Sequence, residues 1–180
     1  MSMNNLNDLL DVRALKDSGE RRLFQTGAVR DMSSGKGRCD LMPLCVIAAI
    51  VPNKGVTTVD RILASIGEYQ KYGQVGFLYN AVRFVIEDVF IGAWDAMLQL
   101  AVHFEDGCVK YGERNWEKGI ETKSYVDSAV RHYLKWRRGD RDEAHDRACL
   151  WNLVCAIWTI ENKPELNSYT NGCAVESEEK

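Results

Sequence analysis

With 180 residues, 46 % of them hydrophobic and 27 % charged, the chain is long enough to bury a core and reads as a single globular domain. A formal net charge of −3 excludes a long nucleic-acid groove walled by basic residues, while leaving room for a local cationic cluster. The six cysteines lack paired C-x-x-C zinc spacing and sit in apolar helical patterns, so they are expected to be reduced and buried in a cytoplasmic protein.

Residues 1–22 are polar and lack an apolar signal core, and are expected to be a flexible segment with one short helix near residues 6–15. The domain proper is expected over residues 23–166. It opens with TGAVRDMSSGKGRCDLMP, residues 26–43, where Arg30, Lys36 and Arg38 put three cations into nine residues among glycines and serines. Glycine lets backbone approach a ligand closely and the cations supply donors for an anion, so the stretch is either a phosphate-binding loop or a solvated basic loop. It lacks the G-x-x-x-x-G-K-[ST] spacing of a P-loop.

The apolar run 41–51 predicts a buried helix after Pro43 and is too short to span a bilayer. A turn at Pro52-Asn53-Lys54-Gly55 precedes a helix over 59–72, capped by Thr57 or Thr58 and broken by Gly73 and Gly76. A second helix is expected over 78–90.

The stretch from Trp94 to Trp116 is expected to organise the fold. Trp94, Met97, Leu98, Ala101 and Cys108 recur at helical spacing and predict a buried stripe. Glu105 falls on that stripe, where a carboxylate needs a metal ion, a Lys or Arg, or a protonated histidine to meet it, unless it lies at the stripe's edge.

A loop then leads to a helix over 125–137, capped by Ser124, whose stripe of Tyr125, Ala129, His132, Tyr133 and Trp136 turns His132 inward as a ligand or as a satisfied core residue. Asp127 and Arg131, four apart, are expected to pair. Asp140 and Glu143 form an acidic capping box for the next helix, which aligns His145, Cys149, Asn152 and Ala156 on one face. Pro164 ends that helix, and a disordered tail is expected over 167–180. Glu105, His132, and His145 with Asn152 thus stand on three successive helices as a candidate shared polar cavity.

The strings TGAVRD, GKGRCDLMP, HFEDGCVKYGERNWEKG, SYVDSAVRHYLKW, DEAHDRACLWN and ENKPE occur in this order. Together they resemble the phage and prophage dATP/dGTP diphosphohydrolase family, which is similar to the MazG-like all-α nucleotide pyrophosphohydrolases. The resemblance covers residues 24–165 apart from 52–92, which look like an inserted helical pair. It implies an all-α helical bundle, a homo-oligomer, and cleavage of a purine deoxynucleoside triphosphate to the monophosphate and pyrophosphate in phage nucleotide metabolism. It also implies Mg²⁺, with Mn²⁺ as the alternative, held by acidic residues. Two departures stand out: Ala144 replaces an acid frequent in the family, and Asp146 replaces an apolar residue. The paired ExxE of the wider group is missing from the earlier helix, where only Glu105 remains.

Phosphoanhydride hydrolysis needs charge neutralisation and an aligned water more than covalent chemistry. Glu105, His132 and His145 are therefore the expected catalytic residues, with Glu105, Asp127, Glu143 and Asp146 as metal ligands. Glu143 shares a metal with His145 only if it lies in an irregular first turn; capping explains it equally. Lys36, Arg38, Lys110 and Arg131 are the phosphate candidates, the last two otherwise being surface ion pairs. Tyr111, Asn115, Trp116 and Asn152 are the candidates for the base, with core packing the alternative for Trp116. The rival class is a non-catalytic, sponge-like phage protein that sequesters a purine or signalling nucleotide.

Overall fold

The computed structural model describes residues 19–32, 36–50 and 59–169. The expected N-terminal helix, the caps at Thr57 and Thr58, the turn at 52–55, Cys173 and most of the tail lie outside them. Among the described residues the chain is all-α apart from one short hairpin, and no helix is long and apolar enough to cross a membrane.

The hairpin was not expected. Strands β1 (Arg21–Leu23) and β2 (Val29–Asp31) pair antiparallel with Arg22 opposite Arg30. The turn closes through Phe24 N–H to Ala28 O at 2.9 Å, with Gly27 in the left-handed region (φ 81°). Asn115 extends this sheet with its side chain: it accepts from Val29 N–H at 3.0 Å and donates to Val29 O at 2.9 Å.

Helix α1 (Leu44–Ile50) follows Pro43 as expected. Helix α2 (Arg61–Tyr72) is capped by Asp60, whose carboxylate accepts from Leu63 N–H at 3.1 Å, and stops at Gly73 in the left-handed region. Helix α3 (Val75–Val89) starts before Gly76. Helix α4 (Ala93–Tyr111) runs into a 3₁₀ turn at Asn115–Lys118. Helix α5 (Thr122–Arg138) ends at Gly139 (φ 91°), and α6 (His145–Asn162) gives way to a 3₁₀ turn at Pro164–Leu166.

The expected organising helix is displaced by another. α6 is buried on most sides, through Ala148, Leu150, Leu153, Cys155 and Ala156 among others, and packs against α3, α4 and α5. α5 and α6 form the central hairpin, with Tyr125, Val126, Ala129 and Val130 facing α6 across the core. α4 lies at the edge, with Ala96, Leu100 and His103 inward, while Trp94, Met97, Leu98, Ala101 and Cys108 face outward. Of the free cysteines, Cys39, Cys149 and Cys155 are buried, whereas Cys45 and Cys108 are exposed.

Candidate functional site

A cavity of about 560 Å³ opens between β2, α4, α5, α6 and the 3₁₀ turn at Asn115–Lys118. Seven Lys or Arg side chains line it against four Asp or Glu, in a chain whose formal charge is −3. A concave, partly apolar space focuses such a local excess of positive charge, which favours an anionic ligand. Phe104, Tyr111, Trp116 and Trp151 supply aromatic wall, with Phe104 5.4 Å from Trp116 and 5.9 Å from Trp151 between ring centroids.

Arg30 sits at the centre of the cationic side. Its guanidinium donates to Asn152 Oδ1 at 2.7 Å, Ser128 Oγ at 3.1 Å and Ser124 O at 3.3 Å, and lies over the Tyr125 ring at 5.1 Å. All of these acceptors are neutral, and no carboxylate pairs with Arg30 among the described residues. Burial lowers its pKa, with the neighbouring Arg22 adding to the effect. Arg22 donates to Ser124 Oγ at 3.0 Å and stacks on Phe24, also without an acid. Two neighbouring guanidiniums hydrogen-bonded to neutral groups, with Arg22 Nε buried and unpartnered among the described residues, carry net charge into the cavity wall.

All three histidines of the chain meet at this region. His132 Nδ1 and His145 Nδ1 lie 2.9 Å apart, and Glu143 Oε2 is 3.9 Å from each. His145 Nε2 lies 2.8 Å from Asp142 Oδ1 and, since a carboxylate only accepts, Nε2 carries a proton and donates, which turns Nδ1 toward His132. Burial, then the charge of His145, pushes the pKa of His132 well down. His103 is buried beside the Trp151 ring, and its Nδ1 has no hydrogen-bond partner among the described residues. Burial, followed by Arg147, Arg30 and Lys110, lowers its pKa to about 3, so it is neutral near pH 7.

Residues 79–169 match the family described as dATP/dGTP diphosphohydrolase, N-terminal. The chain belongs to that family. Comparison with curated proteins and with solved structures gives no match. The segment shared with the diphosphohydrolase family begins inside α3 and takes in α4, α5 and α6, hence all three histidines, Asp142 and Glu143. Arg22, Arg30 and Lys36 come from the preceding hairpin and loop, outside the matched segment.

Against that family background, one expectation is corrected outright. Glu105 is exposed, away from the cavity, and makes no hydrogen bond or ion pair among the described residues. The helix has two apolar sides, and the one chosen by periodicity is the outer one. Asp127 does line the cavity, but its carboxylate accepts from Cys39 N–H at 2.7 Å and forms the expected ion pair with Arg131. Asp146 stands in the first turn of α6, where it accepts from Arg147 N–H, and does not line the cavity. Glu143 lies in the irregular segment before α6, the condition under which it shares a ligand with His145. The Asp140–Glu143 capping box does not form: Ala144 occupies the cap position and Asp140 pairs with Arg138.

The cationic candidates divide similarly. Lys36 lines the cavity, and burial lowers its pKa despite Asp31. Lys110 and Tyr111 both reach Asp31, at 2.8 and 3.0 Å. Burial works against the Asp31 carboxylate, yet Lys110 outweighs it and holds the pKa below the ordinary value. Arg38 is exposed, pairs with Asp40, and lies outside the main cavity. Asn115 and Asn152 line the cavity with their amides already committed, to Val29 and to Arg30 with Ala148 O. Trp116 packs edge-on to Trp158 at 4.9 Å while its other side contributes wall.

Arg22 and His103 were missed in the sequence. The signal for Arg22 was the FQTG turn with β-favouring flanks, which makes 21–31 a hairpin. For His103 it was the helical line through His103, Gly107 and Tyr111, all cavity-lining and four residues apart.

Proposed function

We propose that the chain hydrolyses a purine deoxynucleoside triphosphate, dATP or dGTP, to the monophosphate and pyrophosphate within this cavity. The observation that carries the reading is the pairing of an aromatic wall with a net cationic lining headed by acid-free Arg30 and Arg22, in a member of the diphosphohydrolase family. The triphosphate lies toward Arg22, Arg30 and Lys36, and the base against Trp116, Phe104 or Trp151. A divalent cation, Mg²⁺ or Mn²⁺, accompanies the phosphates. Mg²⁺ bound to phosphates needs only one or two protein carboxylates, a demand that Glu143 at the cavity edge fits better than the dispersed Glu105 and Asp146. The ion would neutralise developing phosphate charge. The resemblance to phage proteins supports a role in phage nucleotide metabolism within the host cytoplasm.

The dispersal of those carboxylates favours a second reading, binding of the nucleotide without turnover. Incubation with each deoxynucleoside triphosphate and Mg²⁺ or Mn²⁺, followed by quantification of monophosphate and pyrophosphate, separates the two. Stoichiometric pyrophosphate from dATP or dGTP supports hydrolysis. Tight binding with no product supports sequestration and removes the enzyme reading.

We further propose a homo-oligomer. Trp94, Leu98, Ala101, Glu105 and Cys108 repeat at alternating four- and three-residue intervals on the outer face of α4, the spacing of a helix–helix seam.

A further inference from the structure

The edge of the cavity where α5 meets α6 holds nitrogen ligands as well as oxygen, and this bears on which ion the protein retains. His132 projects from the second half of α5, and His145 is the first residue of α6. The six-residue connection folds back so that Glu143 lies against both rings. Helix geometry alone would send Glu143 and His145 apart; the irregular backbone before α6 removes that obstacle.

We propose that His132 Nδ1, His145 Nδ1 and Glu143 form a site for one divalent ion of the first transition series, with Asp142 as the positioning residue. The inference deepens the hydrolase reading by naming the ion class of the same cavity, though metal binding itself needs no nucleotide.

Three features support it. With metal–nitrogen bonds of about 2.1 Å, nitrogens 2.9 Å apart subtend about 90° at the ion, the angle between neighbouring ligands of an octahedral site. The Glu143 oxygen, 3.9 Å from each nitrogen, completes the set after a shift of roughly 0.5–0.9 Å, within reach of a side chain on a loop. Asp142 accepts from His145 Nε2–H, which directs the lone pair of the opposite nitrogen to the site; such carboxylate–histidine pairs accompany metal-bound imidazoles. Imidazole ligation favours Mn²⁺, Co²⁺, Ni²⁺ or Zn²⁺ over Mg²⁺, which prefers oxygen.

A second grouping, Asp140, Asp142 and His145, lies on the other side of the His145 ring. It offers one ring nitrogen where the His132 side offers two, so the ion is assigned to the His132 side.

The test uses the full chain, stripped with a chelator and titrated calorimetrically with Zn²⁺, Co²⁺, Mn²⁺ or Mg²⁺ in the absence of nucleotide. One Zn²⁺ or Co²⁺ per chain, bound at least tenfold more tightly than Mg²⁺, is the expected result, with a Co²⁺ absorption spectrum showing nitrogen ligation. His132→Ala weakens binding about a hundredfold, while Glu143→Gln and Asp142→Asn each weaken it about tenfold. Asp140→Asn leaves it unchanged. Glu143 lies outside the helices, so its variant keeps the test sound if a histidine variant fails to fold. Mg²⁺ binding as tightly as Zn²⁺, or Zn²⁺ binding that survives both His132→Ala and Glu143→Gln, overturns the assignment. Turnover with Mg²⁺ alone that survives Glu143→Gln removes this site and leaves the hydrolase reading standing. Tight Zn²⁺ binding without pyrophosphate release from any deoxynucleotide does the reverse.

Discussion

His103 and Glu105 are two residues apart on α4 and turn to opposite sides of it, one into the cavity wall and one into solvent. Glu105→Gln is therefore expected to leave turnover within about twofold of the parent chain, since an exposed, unpaired carboxylate contributes little. A measured loss of a hundredfold in kcat would return that acid to the chemistry. His103 makes the opposite kind of contribution. Its pKa, lowered from 6.5 to about 3, stops the folded chain taking up a proton that the unfolded chain accepts. Stability is then greatest above pH 6.5 and declines as pH falls from 6.5 toward 3, by about 1.4 kcal/mol per unit for one such group. Urea midpoints compared at pH 7.5 and 5.5 should show this loss. In His103→Phe the loss should shrink but not vanish, because His132 is depressed with the same sign. An unchanged difference between the two pH values would show that His103 is not held neutral. At this scale the sequence was legible for His132, His145 and the Asp127–Arg131 pair, whose local spacing matches what the fold does with them. It misled on Glu105, because periodicity cannot tell a stripe facing the core from one facing outward.

The elements were legible wherever a local stop signal existed. Gly73, Gly139 and Pro164 mark helix ends, because a left-handed residue or a missing amide N–H interrupts the helical hydrogen-bond ladder wherever the helix packs. The β1–β2 hairpin was read as a loop because each strand is only three residues long, and its pairing is completed by a side chain 86 positions away, Asn115 on Val29. The start of α2 shows what a local reading leaves out. Asp60 caps α2 and also accepts from Tyr133 Oη at 2.7 Å and from Arg137, so one buried carboxylate fastens α2 to α5. Asp60→Ala strips the cap and removes the carboxylate that the buried Tyr133 hydroxyl and the half-buried Arg137 guanidinium share. A loss of about 3 kcal/mol in urea unfolding is expected, well above the ~1 kcal/mol of a cap alone. A loss near 1 kcal/mol would mean that α2 and α5 are held together by apolar packing, with Asp60 acting as a cap and little more.

For the whole molecule, the unresolved balance is apolar surface. Trp94, Leu98 and Val109 are between 70 % and 86 % exposed along one side of α4, and Ile91 just before it is 92 % exposed, more than scattered surface residues account for. The reason this side looked like core in the sequence is the reason it is expected to be covered: its 4-3-4-3 repeat suits a second helix, and none covers it among the described residues. α4 packs inward on α6 and touches α3, leaving that repeat outward. The proposed association of copies through α4 makes two substitutions act in opposite directions. Leu98→Asp places a charge in the seam and should shift sedimentation velocity toward the single chain, with a dissociation constant raised a hundredfold or more, since burial of one leucine is worth about 2–3 kcal/mol and a carboxylate there adds a desolvation cost. Glu105→Gln removes the charge the seam already contains and should tighten association severalfold, while turnover stays level. If both variants sediment like the parent chain, α4 is not the interface, and its apolar side must be covered by something other than a copy of itself.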